Sequence, residues 1–283
     1  MTVPDLAPPI FVGGMFKSGT SLLRVMLGQH SSISAGLETA WFELEWDKKL
    51  GRGGEALTDY IARTAEFYGE DLQVAQAMAL ASADALAFID QLLGAKTRRD
   101  GSRRWVEKTP GNVRFADQIF RRWPDARMVH IIRDPRDTFA SLRQIAKWDT
   151  VPEFASRWCD TFGAWEGFKS DGVATSGNAL EIRYESLVVD PVATMGRVLE
   201  FLGEPWEPAV GKHTGEKKDY LRVLSATGKA SSTLARLAEP MSVSRIGIWQ
   251  DTLTSNDLAG AEQFVADRGL ADVYQQCFAE AGA

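Results

Sequence analysis

The sequence predicts an α/β fold: a P-loop-like central parallel sheet flanked by helices, with a helical insert. Three observations carry this. A short β-branched and aromatic run, Ile10-Phe11-Val12-Gly13, enters the glycine-rich turn Gly14-Met15-Phe16-Lys17-Ser18-Gly19 and passes at once into an amphipathic helical pattern. Further apolar runs at 105–108, 127–133 and 180–184 alternate with helical patterns, as βαβ units of a parallel sheet require. With 283 residues, 45% of them hydrophobic, the chain is long enough to bury a full core.

In chain order, residues 10–13 read as a buried strand and 18–29 as a helix with Leu22, Leu23, Met26 and Leu27 on one face. Residues 33–36 read as a second strand. The stretch 57–93 is proline-free and rich in alanine and long side chains, so it reads as helical, within an insert over about 52–97. A charged turn at 98–104 leads to a strand at 105–108 that ends at Pro110; 112–122 reads as a helix, which Trp123-Pro124-Asp125 stops. The strand at 127–133 has an apolar centre of Met128, Val129, Ile131 and Ile132. Helices are expected over 137–145 and 153–168, then a strand at 180–184. Asp190-Pro191 opens a helix with aspartate at N-cap and proline at the first helical position, and Val192, Met195, Val198, Leu199 and Leu202 form its stripe. No internal repeat or low-complexity linker divides the chain, so residues 1–283 read as one domain.

A net charge of −6 argues against broad binding to nucleic acid or to anionic membranes, so any anion site is local. Cys159 and Cys277 are too few for a disulfide framework, and no Cys/His cluster has metal-ligand spacing, so no metal is expected. The first nine residues include Asp5 and three prolines and lack a basic region, unlike a signal peptide. No apolar run approaches the ~18 residues that span a bilayer. A cytoplasmic chain without a membrane span is the expectation.

Two motifs carry chemistry. The strand, glycine-rich loop and helix start build an anion cradle, because backbone N–H groups and the helix dipole converge there. Gly14 and Gly19 keep the spacing of a nucleotide-triphosphate loop, but Thr20 stands where that loop has its lysine, and Lys17 lies inside the turn. A lysine there can reach a group attached to a 5′-phosphate without the β,γ-phosphate geometry of ATP. The second motif is Arg133-Asp134-Pro135-Arg136-Asp137-Thr138-Phe139-Ala140-Ser141, directly after a strand. Arg133 and Ser141, about two helical turns apart, can face one crevice and clamp a phosphate. Alone, the same residues also read as a surface loop of compensating charges. Beside the glycine loop they point to a single bisphosphate ligand.

Taken together, these motifs resemble the sulfotransferases that use 3′-phosphoadenosine 5′-phosphosulfate, in the bacterial and tyrosyl-protein-like branch. Lys17-Ser18-Gly19-Thr20-Ser21 resembles the 5′-phosphosulfate loop, and Arg133 through Ser141 the 3′-phosphate motif. Glu107-Lys108-Thr109-Pro110 with Asn112 resembles the K-T-P element, Tyr184-Glu185-Ser186-Leu187 the Y-E-x-L segment near the adenine, and Ser242 through Trp249 the closing segment with Ser244 and Arg245. The resemblance runs in order from about residue 10 to residue 250 and omits the insert and the last ~30 residues. It implies a donor cosubstrate, 3′-phosphoadenosine 5′-phosphosulfate, held by Lys17, Ser18, Gly19, Thr20, Ser21, Arg133, Ser141, Tyr184, Ser244 and Arg245. It also implies in-line transfer of a sulfuryl group to an acceptor hydroxyl or amine. Lys17 would stabilise the leaving bridging oxygen and Lys108 the transferring sulfuryl oxygens, unless Lys108 is a salt-bridge partner of Glu107 or nearby carboxylates. The rival readings are a small-molecule or nucleotide kinase and a non-catalytic nucleotide-binding module.

The general base is open. Pro110 replaces the histidine of the K-T-H branch, and His30, His130 and His213 read as structural. Gly36-Leu37-Glu38-Thr39 resembles the tyrosyl enzymes' G-E-E-T with Leu37 in place of the first glutamate, which makes Glu38 the candidate; it also reads as a helix-start carboxylate. Glu43, Glu45 and Glu107 are the alternatives. Trp41 and Phe42 could wall an acceptor pocket, whereas Trp158, Phe162 and Trp165 share a helical face as core. The acceptor class is open, among small molecule, carbohydrate, lipid and peptide. Arg98, Arg99, Arg103 and Arg104 leave a polyanionic acceptor possible despite the acidic chain.

Overall fold

The computed structural model describes residues 6–44, 46, 56–215, 223–224 and 232–278. Five parallel strands, β1 (Ile10–Gly14), β2 (Ile33–Ala35), β3 (Arg104–Lys108), β4 (Arg127–Ile132) and β5 (Ala179–Arg183), form one sheet in the order β2-β3-β1-β4-β5. The registers Ile10↔Val106, Ile10↔Arg127 and Ile131↔Ile182 put the strand C-termini at a common edge. The chain leaves β1 towards β2 and β3, then crosses to β4 and β5, so the order reverses around β1. Open parallel sheets bind ligands at that reversal, outside the carboxyl ends.

Strand alternation divides the core between the two faces of the sheet. Ile10, Val12, Val106, Val129, Ile131 and Ile182 pack against Leu23, Met26 and Leu27 of α1 (Thr20–Leu27) and the Met195, Val198 and Leu199 stripe of a later helix. Phe11, Trp105 and Met128 face the other way, onto the insert and the long helix that carries Trp165. The insert is three helices: α2 (Leu57–Tyr68), α3 (Leu72–Ala81) and α4 (Ala85–Arg99), interrupted at Gly69, which has φ of 63°, and before the Asp84 N-cap. Residues 52–55, the expected start of the insert, lie outside the described residues.

Several boundaries differ from the sequence reading, each for a backbone reason. α1 starts at Thr20 rather than at 18, because Lys17 and Gly19 hold φ of 73° and 103° and cannot be helical. The stretch expected as a helix over 112–122 is a 3₁₀ turn, Pro110–Phe115, followed by α5 (Ala116–Arg122); Phe115 has φ −126° and ψ 25°. α6 (Pro135–Arg143) begins two residues early, since Asp134 caps the Arg136 N–H and Pro135 takes the first helical position. α7 (Val151–Ser170) carries Trp158, Phe162 and Trp165 into the core as expected. After β5 come α8 (Tyr184–Val189), α9 (Pro191–Leu202), α10 (Ser232–Leu237), α11 (Ser255–Ala266) and α12 (Ala271–Gln276). Phe139, Leu142, Phe154 and Trp158 pack with Val265 and Tyr274 as a third cluster, which fastens the C-terminal helices to α6 and α7. Among the described residues no helix is long and apolar enough to cross a membrane.

Gly14 is required where β1 turns into the loop: at φ 155°, a Cβ there would lie 2.4 Å from the Ile131 carbonyl oxygen and 2.7 Å from Ser18 Oγ. Gly172 has φ 72° but open space around it. Gly14→Ala is therefore expected to lose ~2 kcal/mol or more in urea unfolding, and Gly172→Ala only the ~1 kcal/mol of a left-handed residue. Equal losses would mean that the loop relaxes around the added methyl.

Candidate active site

The five strand ends converge on one cavity of about 950 Å³. Lys17 follows β1, Glu38 follows β2, Lys108 ends β3, Arg133 follows β4 and Tyr184 follows β5, and all five line it. Gly19, Thr20, Ser21, Ser141, Ser244 and Arg245 also line it. Of the residues that the resemblance implies hold the donor, only Ser18 is set apart. It is fully buried behind the loop, with its N–H donated to the Met15 carbonyl at 3.0 Å. Its side chain, expected to hold an anion, does not border the cavity.

The loop is shaped by two close approaches. A Cβ on Gly19 would lie 2.6 Å from the Tyr184 ring, so only glycine lets β1 and β5 share the cradle. Lys17 is a non-glycine residue in the left-handed region, a strain of roughly 1–2 kcal/mol. Arg133 opposes that strain by donating Nη1 to the Lys17 carbonyl at 2.9 Å. The same guanidinium donates Nη2 to the Arg245 carbonyl at 2.6 Å and lies 4.6 Å from the Tyr184 ring centroid. Arg133 Nε and Ser141 Oγ are buried and have no protein partner among the described residues. Buried polar atoms without partners are rare, and a phosphate placed to meet both donors would satisfy them. The residues present fit such a group.

The electrostatics agree. Among the described residues, Lys17, Arg24, Arg63, Lys108, Arg133, Arg236 and Arg245 border the cavity against the carboxylates Glu38 and Glu239, although the chain as a whole carries −6. Lys17 Nζ donates to Thr233 Oγ1 at 2.8 Å and more loosely to Ser232 Oγ at 3.4 Å, both on α10. Burial, and then the neighbouring Arg236, Arg245, Lys147 and Arg133, lower its ammonium to about 8. Lys108 Nζ donates to Glu38 Oε2 at 2.9 Å. The salt-bridge reading of Lys108 thus holds in this state, with Glu38 rather than Glu107 as its partner. Leu37, Phe67 and Pro110 provide apolar wall in the same cavity.

Other candidates fall elsewhere. Glu107 is fully buried, its oxygens accepting from Thr39, Thr109 and Asn112, so it is no base for a cavity ligand. Glu43 is exposed on a 3₁₀ turn (Trp41–Glu43) outside the cavity lining, and Glu45 lies outside the described residues. Trp41 and Phe42 do not wall the cavity: Trp41 is core, donating Nε1 to Asn112 Oδ1 at 3.0 Å, and Phe42 stacks on Phe115 at 4.3 Å. Aromatic side chains directly after Glu38 are drawn to the core because the chain turns inward at Ala40, which has φ 53°. Arg99, Arg103 and Arg104 are engaged with Glu70 and Glu204 at the N-terminal end of β3, remote from the strand ends that form the site. His30 bonds the Pro205 carbonyl, and His130 lies fully buried in β4 against Trp165; His213 alone of the three borders the cavity, with its ring bonded to the Leu237 carbonyl.

Sequence reasoning missed Arg24, Arg63, Arg236 and Thr233. Arg24 follows Thr20 by one helical turn, a spacing that would have placed it on the cavity side of α1; the others belong to no local motif. It also missed two anchoring carboxylates. Asp137 accepts from the N–H groups of Gly247 and Trp249 at 2.8 and 3.1 Å, and Glu185 from that of Asp134 at 2.9 Å. Among the described residues no group of three or more His, Cys, Asp or Glu is placed to hold a metal ion.

Comparison with known proteins gives the class. Residues 8–208 match the model of the sulfotransferase family, and the chain belongs to that family. It is 26% identical over 238 residues to protein-tyrosine sulfotransferase A of Caenorhabditis elegans, covering 73% of this chain and 53% of that one. It is 28% identical over 290 residues to the nodulation protein NoeE of Sinorhizobium fredii, covering 90% and 64%. The chain thus spans about half the length of the protein-tyrosine sulfotransferases it matches. Its fold is shared with the sulfotransferase domain of the Synechococcus PCC 7002 olefin synthase, at TM-score 0.64, 19% identity and coverage of 94% and 97%. The sulfotransferase domain of the curacin biosynthetic pathway gives 0.61, 20%, 94% and 99%.

With Lys17 titrating near 8, an anion that needs the ammonium must take up a proton to bind above that pH. The affinity for adenosine 3′,5′-bisphosphate is therefore expected to fall as pH rises from 7 to 9.5, approaching tenfold per unit above 8, measured by calorimetry. Lys17→Arg should flatten the profile, because arginine stays charged. A flat wild-type profile would remove Lys17 from the anion contact.

Proposed function

We propose that this chain transfers a sulfuryl group from 3′-phosphoadenosine 5′-phosphosulfate to an acceptor hydroxyl or amine. The observation that carries this reading is the pair of buried donors without protein partners, Arg133 Nε and Ser141 Oγ, in the same cavity as the glycine-rich loop. Two phosphate positions in one cavity suit a nucleotide with phosphates at both 3′ and 5′. Thr20 in place of a lysine argues against a triphosphate.

When bound, the donor supplies an electrophilic sulfur and a phosphate leaving group. In the proposed transfer the acceptor atom bonds to sulfur as the bond to the bridging oxygen breaks, and its electron pair goes to the phosphate. Lys17 stabilises the charge on that oxygen, preorganised by a backbone that Arg133 holds. Lys108 faces the sulfuryl oxygens. Glu38, exchanging Lys108 for the acceptor hydroxyl, takes the proton. The acceptor is expected to enter beside Leu37, Phe67 and Pro110, which exclude water from the reacting atoms.

Adenosine 3′,5′-bisphosphate is expected to raise the melting temperature much more than ATP with magnesium, following RT ln(1 + [L]/Kd). Ser141→Ala should weaken it by about tenfold, the worth of one hydrogen bond to a charged group. Stabilisation by ATP and magnesium with none by the bisphosphate would favour a kinase instead.

Glu38→Gln keeps an acceptor for Lys108 but removes the base. It is expected to lower kcat by about 10²–10⁴, with bisphosphate affinity nearly unchanged and a smaller loss for an acidic phenol acceptor. A loss uniform across acceptors, accompanied by a lower melting temperature, would make Glu38 structural.

A further inference from the structure

Glu38 lies on the segment that leaves β2, and that segment is held on both sides of it. The Tyr68 hydroxyl of α2 donates to the Leu37 carbonyl, and Gly36 admits the ring, since a Cβ there would lie 2.1 Å from it. On the other side, Thr39 donates its N–H at 3.2 Å and its hydroxyl at 2.8 Å to Glu107 Oε1. Thr109 Oγ1 accepts the Ala40 N–H at 3.0 Å, so its own hydrogen is free for Glu107 Oε1 at 2.7 Å. Asn112 Oδ1 accepts from Trp41 Nε1, a donor only, and this fixes the amide so that Nδ2 donates to Glu107 Oε2 at 2.6 Å and to the Val12 carbonyl at 3.1 Å.

Four donors from residues 39, 109 and 112 therefore meet one carboxylate that has no exposure to solvent. A group that accepts at every contact suits this slot; a glutamine amide would set a donor against a donor. The partners are not scattered through the core. They lie on the segment directly after Glu38 and on the turn directly after Lys108, and strand alternation points Glu107 away from the face that Lys108 uses. Ala40, held at φ 53°, is a strained residue that such bonding keeps in place.

We propose that Glu107 is a positioning residue, whose buried carboxylate welds the Glu38 segment to the end of β3 and so sets Glu38 against Lys108. The catalytic part of this rests on the sulfotransferase reading; the structural part does not.

Four variants test it: Thr39→Val, Thr109→Val, Thr39→Ser as the conservative partner, and Glu107→Gln as the severest case where it folds. Amide hydrogen exchange at position 39 and Ala40 is expected to accelerate in both valine variants, with the melting temperature lowered by the lost hydrogen bond to a buried carboxylate and the bisphosphate affinity close to wild type. Under saturating donor, kcat should fall by roughly 10- to 100-fold, the scale of a misplaced reacting group, and Thr39→Ser should restore both rate and protection. Unchanged exchange in both valine variants would overturn the proposal. So would a kcat loss in Thr39→Val that Thr39→Ser shares. If wild-type protein transfers no sulfuryl group to any acceptor, the functional reading falls, and the exchange data still decide whether Glu107 holds the segment.

Discussion

The guanidinium of Arg133 is the constraint on which the cavity depends, because it joins three walls that lie far apart in the sequence. It reaches the glycine loop through the Lys17 carbonyl, the C-terminal segment through the Arg245 carbonyl, and β5 through the face of Tyr184. Burying a guanidinium is costly unless its protons are met and its charge is balanced. Here two carbonyls and a ring meet part of the demand, with Asp137 at 4.0 Å. Asp137 in turn holds the Gly247 and Trp249 N–H groups, so the closing segment, the arginine and the loop form one unit. Among the described residues that unit leaves Arg133 Nε without a protein partner, as is Ser141 Oγ in the same cavity, and these are the donors proposed to meet a ligand.

The same economy governs charge. Among the described residues of this acidic chain, seven cationic side chains gather around one cavity, and burial together with their repulsion lowers the ammonium of Lys17. Such a cluster is unfavourable in the empty protein and becomes favourable when a polyanion enters. The Glu38–Lys108 ion pair is the counterpart in the same cavity, a carboxylate held by one of its cations.

The parts legible in the sequence were those whose chemistry is local. The glycine loop, the eight-residue interval from Arg133 to Ser141 and the Asp190-Pro191 helix start all depend on neighbours a few positions away, and the structure places them as read. The helix boundary at Thr20 was not legible, because the positive φ of Lys17 is braced by Arg133, more than a hundred positions away. Nor was the fate of Trp41 and Phe42, since their aromatic partners come from the turn after β3. Glu107 reads as an ordinary strand residue; its four hydrogen bonds become visible only once β3 and the segment after β2 are side by side. Arg63 and Arg236 were missed for the same reason, as cations gathered by the fold and not by a motif, whereas the helical spacing of Arg24 from Thr20 was there to be read.

The most direct test of this account is a structure of the protein with adenosine 3′,5′-bisphosphate bound. The account predicts one phosphate within hydrogen-bond distance of both Ser141 Oγ and Arg133 Nε, and the other at the loop of Lys17, Gly19 and Thr20. A nucleotide bound in this cavity with Ser141 Oγ still lacking a partner, or bound outside it, would contradict the account.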